Sequence, residues 1–180
     1  MATTRIETML GDVAVAVNSK DPRYTHLVGK MLVHPFIPSR EIRVITDDLL
    51  VDMNFGTGAV KITPGHDPND FECGLRNLLP QINIFNDDGE INDNGGKFKG
   101  LKRFDVRNVL TEELKALGLY RGEAPNPMRL GICSKSKDVI EPLIRAQWYV
   151  SCKEVAEVLV DKVKSKEMVI LPEEHEKTWY

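Results

Sequence analysis

Alternation of apolar and polar positions predicts several short strands in the first half of the chain. The clearest is the β-branched run DVAVAVN at 12–18, because its period of two is that of a half-buried strand. The other strands predicted in this way lie at 42–45, 49–53, 59–63 and 82–85. A polar segment with turn signals follows at 86–100, and it predicts a long loop.

Three other segments carry apolar residues at the i, i+3, i+4 spacing of a helix. The first helix is predicted to begin near Asp67 with Pro68 in its first turn, and the second to span about 104–117 and stop at Gly118. The third is predicted to begin at Ser151, where Ser151 and Glu154 have the spacing of a capping box. The predicted buried faces are Phe71, Leu75, Leu78 and Leu79; Val106, Val109, Leu110, Leu114 and Leu117; and Val155, Val158, Leu159 and Val163.

This order of elements predicts a mixed α/β fold. Ser151 marks a domain boundary, because the chain before it has the pattern of a compact core at 1–150. The remainder, 151–180, is predicted to be an appended C-terminal helix and tail.

Composition narrows the classes of function. The chain has 180 residues, 42% of them hydrophobic and 28% charged, with a net charge of −3. Proteins that wrap nucleic acid are usually basic, so a bound polyanion would have to be attracted by a local patch. No apolar run approaches the roughly 18 residues that a membrane span needs. The N-terminus lacks the pattern of a signal peptide, which makes the cytoplasm the default location.

Cysteine spacing argues against a disulfide framework and against zinc. Cys73, Cys133 and Cys152 are odd in number and widely separated, with no Cys-x-x-Cys pair. We therefore predict reduced cysteines and no metal site.

The stretch FGTGAVKITPGHDPNDF at 55–71 concentrates the candidate chemistry. Its pattern predicts a strand, a tight turn and a helix start, which would gather polar groups at one mouth. Lys61 and Thr63 are two apart on the predicted strand and so face the same side; the alternative is a polar strand face open to solvent. The glycines at 56 and 58 match no phosphate-binding loop, and they favour a tight bend or a close approach to a ligand.

Two carboxylates at the helix start allow two interpretations. Asp67 as N-cap and Asp70 three residues later are good helix-start chemistry. The functional alternative is that both also point into a pocket, where a carboxylate can hold an ammonium group or accept from a hydroxyl. His66 between strand and helix is open to three roles: general base, ligand anchor or turn residue.

Three blocks of sequence resemble the inserted editing domain of valyl-tRNA synthetases. They are ATTRIETMLGDVAVAVN at 2–18, VDMNFGTGAVKITPGHDPNDFECG at 51–74 and IEPLIRAQWYV at 140–150, in the order in which that domain has them. Isoleucyl and leucyl enzymes share part of the pattern, but Lys-x-Thr followed by His-Asp-Pro-Asn-Asp resembles the valyl branch best. Ile6, where many relatives have proline, resembles the eukaryotic-type enzymes.

The resemblance implies a β-barrel core with peripheral helices and an aminoacyl-tRNA deacylase activity. A hydrophobic pocket cannot strongly reject an isostere that merely adds a hydroxyl, and this family is itself the known example, so a second site must hydrolyse threonyl-tRNA(Val). The implied partners are the 3′ end of tRNA(Val) carrying threonine and the rest of the parent synthetase in cis, with no membrane; we expect a monomer. Editing is expected to need no cofactor, since ATP and magnesium serve the aminoacylation domain. The aminoacylation signatures of synthetases, of the His-Ile-Gly-His and Lys-Met-Ser-Lys-Ser types, do not occur in the chain, so it is not expected to charge tRNA.

The same resemblance implies roles for individual residues. Asp67 would hold the α-amino group and Asp70 the threonine hydroxyl. The residues expected to contact the substrate are Thr3, Glu7, Phe55, Gly56, His66, Asp67 and Asp70. Those expected to act in catalysis are Thr4, Arg5, Lys61, Thr63 and Asp70.

Within these sets, Phe55 would pack against the terminal adenosine. The residues that would position the 3′ end or the attacking water are Thr3, Thr4, Arg5 and Glu7. No protein nucleophile is evident, so a positioned water would attack the ester, helped by a ribose hydroxyl of the tRNA. Two alternatives stay open: a 3′-end binding module without hydrolytic activity, and the editing domain of an isoleucyl-type enzyme.

Overall fold

A computed structural model describes residues 1–179. The chain divides into two compact units, Met1–Ile144 and a second that begins at Arg145. The first unit contains strands β1 (Ala14–Val17), β2 (Met31–Val33), β3 (Glu41–Thr46) and β4 (Ala59–Ile62) and helices α1 (Pro68–Arg76) and α2 (Arg103–Ala116). It also contains 3₁₀ segments at Ile6–Gly11, Thr25–Leu27 and Asp93–Phe98. The second contains α3 (Lys153–Lys164) and a 3₁₀ segment at Glu173–Thr178.

The four strands form one mixed sheet in the order β2-β3-β1-β4. β1 runs parallel to β3 and antiparallel to β4, and β2 is antiparallel to β3. The register pairs Ala14 with Ile62 and Val15 with Lys61, so the start of β1 lies beside the end of β4. This pairing confirms a mixed α/β fold, and the sheet of the described residues is open, with β2 and β4 at its edges.

Two apolar clusters hold the first unit together. One lies between the sheet and α1, and the other between α2 and the N-terminal 3₁₀ segment. Their buried members are Ala14, Ala16, Ile45, Val51, Ile62 and Cys73, and Leu10, Ile84, Phe85, Ile91, Phe98, Val106 and Leu110. The polar residues that come between β1, β4 and α1 sit at the margin of the first cluster.

The predicted start of α1 and the predicted stop of α2 are close to those observed, but the buried faces of the two helices differ from the prediction. Asp67 caps α1 through its side chain, as predicted, and Gly118 follows α2 with a φ of 68°. The buried face of α1 is Asp70, Cys73 and Gly74. Of the predicted apolar face, Leu79 packs against the first cluster, whereas Leu75 and Leu78 are 50% and 92% exposed. Gly74 packs so closely on Pro64 that a Cβ would lie 2.9 Å from the proline ring.

The predicted face of α2 is correct in part. Val106 and Leu110 are fully buried, whereas Val109 and Leu117 are exposed. The third buried residue of this helix is Arg103, in its N-terminal turn.

Two of the predicted strands were wrong, for local reasons. Residues 49–53 form a turn, because the Asp47 carboxylate accepts the backbone N–H groups of Leu49 and Leu50. Residues 82–85 contain only a single bridge, at Phe85, because the N–H of Ile84 donates to a histidine side chain instead of to a strand. The predicted loop at 86–100 contains the 3₁₀ segment Asp93–Phe98.

In the second unit, α3 begins two residues later than predicted. Its N-cap is Cys152, which makes no side-chain hydrogen bond to the helix, so the predicted capping box at Ser151 was wrong. Of the predicted apolar face, Val163 is fully buried, while Val155 and Val158 are exposed within this unit. No helix in residues 1–179 is both long and apolar enough to cross a bilayer.

Candidate active site

Lys61 and Thr63 lie where β4 gives way to the turn before α1, and both are buried. Their exposed fractions are 8% and 1%, which confirms that they share one side and rules out the alternative of a solvent-facing strand. The ammonium group of Lys61 contacts the hydroxyl of Thr63 and donates to Oδ1 of Asp12 at 3.1 Å. Thr63 donates its hydroxyl to the same oxygen at 2.6 Å. Asp12 comes within reach because it lies two residues before β1, whose first residue pairs with the end of β4.

Asp70 joins this group from the first turn of α1. Its Oδ2 accepts the backbone N–H of Thr63 at 2.8 Å, so the carboxylate ties the helix to the strand that precedes it. Asp67 caps the helix with one oxygen, Oδ1, which accepts the N–H groups of Asn69 and Asp70. The helix-start interpretation of Asp67 is therefore confirmed, whereas Asp70 bonds to the strand. We call Asp12, Lys61, Thr63 and Asp70 the carboxylate–lysine cluster.

The electrostatics of this cluster are unbalanced, since two buried carboxylates share one ammonium group. Burial raises the pKa of Asp70 to about 6, although the Thr63 N–H and Lys61 act in the opposite direction. Burial also raises the pKa of Asp12, against the opposing effects of Lys61 and Thr63. A carboxyl group with a pKa near neutrality can exchange a proton under physiological conditions.

A second set of buried charges surrounds Glu141. Arg5 donates to both oxygens of this carboxylate at 2.6 Å and to the carbonyl of His66 at 2.8 Å. Arg103 donates to Glu141 at 3.2 Å and to Asp138 at 2.8 Å. Burial acts to raise the pKa of Glu141, but the neighbouring His66 and Arg5 side chains outweigh it and keep that pKa below its usual value.

His66 has a defined tautomer within this set. Its Nε2 accepts the backbone N–H of Ile84 at 3.0 Å, so in the neutral ring the proton is on Nδ1. Nδ1 lies 3.5 Å from the carboxylate of Glu141. The ring is 1% exposed and packs edge-on against Phe85 at 4.8 Å. Of the three roles predicted for His66, these contacts favour the turn residue.

Glu7 is buried in the same region, with 1% of its surface exposed. Its carboxylate lies 2.7 Å from Nε of Arg107 and accepts from Nη2 of that arginine at 2.8 Å. Arg5 approaches it at 3.4 Å. We call Arg5, Glu7, His66, Arg103, Arg107 and Glu141 the arginine–glutamate network.

The remaining predicted residues lie outside both groups. Thr3 and Thr4 are exposed, and the Thr3 hydroxyl accepts the N–H of Arg5 at 3.0 Å. Phe55 is 78% exposed on the turn that links 49–53 to β4. The tight bend predicted for the glycines is confirmed, since Gly56 and Gly58 have φ values of 57° and 69°. No described contact joins this turn to the carboxylate–lysine cluster within residues 1–179.

Comparison with curated proteins finds relatives along the whole chain. A valine–tRNA ligase of Caenorhabditis elegans is 54% identical over 99% of the chain, and one of Schizosaccharomyces pombe is 55% identical over 96%. The human valine–tRNA ligase is 52% identical over the full length. Along its whole length, the chain is similar to a segment of valine–tRNA ligases. A comparison with protein-family models finds no match.

The match concerns one segment of these ligases. The chain spans 17% of the Caenorhabditis elegans protein and 14% of the human one. A valine–tRNA ligase of the bacterium Clostridium perfringens is 51% identical over the full chain, which covers 20% of that protein. Both groups of buried charges therefore belong to a segment that eukaryotic and bacterial valine–tRNA ligases share.

Four members of these groups were not predicted as site residues. Asp12 was assigned only to a strand, and its place beside Thr63 depends on the β1–β4 register, which the alternation of residues does not specify. Glu141 meets Arg5 at a separation of 136 residues and Arg107 meets Glu7 at a separation of 100 residues. Arg103 joins them through Glu141. The sequence signal that could have indicated Glu141 is its position in IEPLIRAQWYV, the third block on which the resemblance rests.

None of the predicted site residues lines one open cleft of the first unit. It has a volume of about 460 Å³ and is open to solvent. Its lining carries charges of both signs and includes Lys102, Asp105 and Cys133, with Arg103 and Glu141 of the network at its wall. Residues 1–179 contain no group of three or more His, Cys, Asp or Glu side chains that could hold a metal ion.

Proposed function

We propose that this chain is the editing domain of a valyl-tRNA synthetase and that it hydrolyses threonyl-tRNA(Val). The observation that carries the proposal is a pair of carboxylates, Asp67 and Asp70, with one oxygen bound and one open. Within residues 1–179, Oδ2 of Asp67 and Oδ1 of Asp70 receive no hydrogen bond from the protein. Neither is among the fully buried unpaired polar atoms.

The two open oxygens have the chemistry that threonine needs. A carboxylate accepts strongly from an ammonium group, and Asp67 is proposed to hold the α-amino group in this way. Asp70 is proposed to accept the threonine hydroxyl, which valine lacks. A buried acceptor left unpaired by valine costs about 1–3 kcal/mol, and this difference supplies the selectivity.

Hydrolysis is proposed to use water and the tRNA itself. Lys61 and Thr63 are held by Asp12, and this fixed geometry suits them to orient the ester and the water. A ribose hydroxyl of the terminal adenosine is proposed to assist the attack. Phe55 is proposed to stack on that adenosine, since an exposed aromatic ring is available to a base.

The wider setting follows the same proposal. The partners are the 3′ end of tRNA(Val) and the remainder of the parent ligase, which accounts for most of the length of the relatives. We place the open sheet within the β-barrel core that the resemblance implies, in a cytoplasmic enzyme. Editing proceeds without ATP or magnesium, and Thr4, Arg5 and Gly56 are proposed to line the path of the 3′ end.

One alternative function is that the chain binds the 3′ end of the tRNA without hydrolysing the ester. The internal hydrogen bonds of Lys61, Thr63 and Asp12 satisfy these groups without a substrate, which is what a 3′-end binding module requires. The isoleucyl-type alternative has no such support, since the relatives found are valine–tRNA ligases.

Release of amino acid from charged tRNA tests the proposal. The chain is incubated with threonyl-tRNA(Val), valyl-tRNA(Val) and valyl-tRNA(Ile), and free amino acid is measured over time with magnesium chelated. Release of threonine well ahead of valine is expected. Binding of threonyl-tRNA(Val) without release would overturn hydrolysis and favour the binding module. Faster clearance of valyl-tRNA(Ile) would favour the isoleucyl type.

A further inference from the structure

Glu141 connects the three blocks of sequence on which the resemblance rests. It belongs to the third block, and its carboxylate receives the guanidinium of Arg5 from the first block through two bonds of 2.6 Å. The ring of His66, from the second block, faces the same carboxylate at 3.5 Å. None of the roles proposed above uses Glu141.

The contact with Arg5 extends to the backbone that precedes the helix. The second terminal nitrogen of Arg5 donates to the carbonyl of His66 at 2.8 Å. Since His66 directly precedes Asp67, this bond fixes the peptide from which the N-cap of α1 begins. One terminal nitrogen of Arg5, Nη2, donates to both oxygens of Glu141 while the other donates to His66, so Glu141 restricts where Arg5 can reach.

The ring of His66 is held from both sides. On one side Nε2 accepts from Ile84, and on the other Nδ1 faces Glu141. A change in the Glu141 carboxylate would therefore alter both the ring and the carbonyl of His66. The glycine at 65 adds a further constraint, because a Cβ there would lie 2.4 Å from the carbonyl of Ile82.

We propose that Glu141 is a positioning residue of the editing site, which holds Arg5 and the His66–Asp67 turn so that Asp67 meets the α-amino group. The proposal rests on the proposed function. Glu141 touches no substrate in this account and acts through Arg5 and His66. Arg103 completes its surroundings with a bond of 3.2 Å, so the carboxylate is charge-matched and remains ionised.

Glu141→Gln tests this role, with Asp138→Asn as its matched control. Both substitutions remove one carboxylate charge next to Arg103, but Asp138 makes no described contact with Arg5 or His66 and is 61% exposed. Threonine release from threonyl-tRNA(Val) is expected to fall by up to about 100-fold in E141Q, because small displacements of positioning groups are costly. Release by D138N is expected to match the wild type.

A double substitution separates positioning from general destabilisation. If Glu141 acts through Arg5, E141Q combined with Arg5→Lys should release threonine no more slowly than the slower single variant. Multiplied losses, or a wild-type rate in E141Q, would overturn the proposal.

Spectra of the protein without tRNA distinguish failure of this inference from failure of the proposed function. The ¹⁵N resonances of the His66 ring and the Asp67 amide are expected to shift in E141Q and to stay in place in D138N. If the wild type releases no threonine, the proposed function is wrong, and the spectra alone decide whether Glu141 holds the turn. Unshifted resonances in folded E141Q would overturn the positioning role.

Discussion

The carboxylate–lysine cluster is a buried set of charges and the arginine–glutamate network a partly buried one, and their charge balance differs. The cluster sets one ammonium group, on Lys61, against the carboxylates of Asp12 and Asp70. The network sets three guanidinium groups against Glu7 and Glu141. Burial raises the pKa of Asp70 to about 6, against the effects of the Thr63 N–H and Lys61. Burial acts in the same direction on Glu141, but Arg5 and His66 outweigh it and hold the pKa of that carboxyl below its usual value.

This difference assigns the two regions different tasks. A carboxylate in excess over its cations keeps affinity for a proton or for a donor on a ligand, which a site that reads a hydroxyl requires. The oxygens of a carboxylate surrounded by arginines already accept hydrogen bonds from the protein. Its role is therefore to hold its partners in a fixed geometry. We therefore propose that the cluster serves recognition and the network positioning, and the following substitutions test that division.

Lys61→Met is expected to have the largest effect. It removes the ammonium group beside the buried Asp12 and Asp70, and removing one partner of a buried pair costs about 3–5 kcal/mol in the free energy of unfolding. The loss should shrink as the pH falls, because protonation removes both uncompensated charges. Urea unfolding at pH 7.5 and 5 measures it. Lys97→Met, which breaks a surface pair with Glu113, is the control, and an equally small loss in both variants would contradict a strained cluster.

Asp70→Asn is expected to change how stability depends on pH. The pKa of Asp70 is about 6 in the folded protein against a model-compound value of 3.8, so the folded state holds a proton that the unfolded chain releases. This stabilisation is complete below pH 3.8 and is lost as the pH rises through 6. Relative to D70N, the wild type should therefore gain on the order of 2–3 kcal/mol between pH 7.5 and pH 4.

Glu141→Gln should show the opposite sign. The pKa of Glu141 is lowered from 4.5, so its stabilisation is present above that pH and is lost as the pH falls further. The deficit of E141Q relative to the wild type should be constant from pH 7.5 to 5.5 and should narrow below pH 4.5. Thermal unfolding of both variants over this range measures the two trends. Trends of equal sign would contradict the opposite pKa shifts of Asp70 and Glu141.

Phe55→Ala tests a residue that lies in neither region. The ring is 78% exposed, so unfolding should change by less than about 0.5 kcal/mol. Binding of the tRNA 3′ end should weaken by about 1–3 kcal/mol, the usual value of a base–aromatic stack. Fluorescence titration with a short acceptor-end RNA measures the affinity. Leu49→Ala, at an 84% exposed position, serves as control, and equal losses would refute stacking by Phe55.

Thr63→Val is expected to have the smallest effect. It preserves shape and removes the hydroxyl between Lys61 and Asp12, which should cost about 1 kcal/mol. Thr111→Val in α2 removes a hydroxyl that donates only to a backbone carbonyl, and it is the matched control. Urea unfolding compares them, and no loss in T63V would indicate that the hydroxyl does not hold the cluster together.

The sequence predicted the parts of the site that depend on local spacing. Lys61 and Thr63 share a side because a strand repeats every two residues, and Asp67 caps α1 because its side chain reaches only its own first turn. Asp12 and Glu141 could not be found in this way, since they meet their partners through strand register and through contacts across the chain.

Errors in the fold have a related cause. The pattern of apolar residues at 49–53 was that of a strand, but the side chain of Asp47 takes the backbone N–H groups that a neighbouring strand would need. The apolar face of α1 was misplaced because Gly74 allows the helix to approach Pro64 closely, which brings Asp70 and Cys73 inward. Both outcomes depend on single side chains rather than on the periodicity of the segment.

We propose above that the open oxygen of Asp70 accepts a hydrogen bond from the threonine hydroxyl and so distinguishes threonine from valine. The most direct test of this proposal is the ratio of threonine to valine release from tRNA(Val), measured for the wild type, Asp70→Asn and Glu72→Gln. Asn at this position keeps an acceptor for the Thr63 N–H, and Glu72 is an exposed carboxylate in the same helix. We predict that the ratio falls by about 10- to 100-fold in D70N and is unchanged in E72Q. An unchanged ratio in folded D70N would contradict the account.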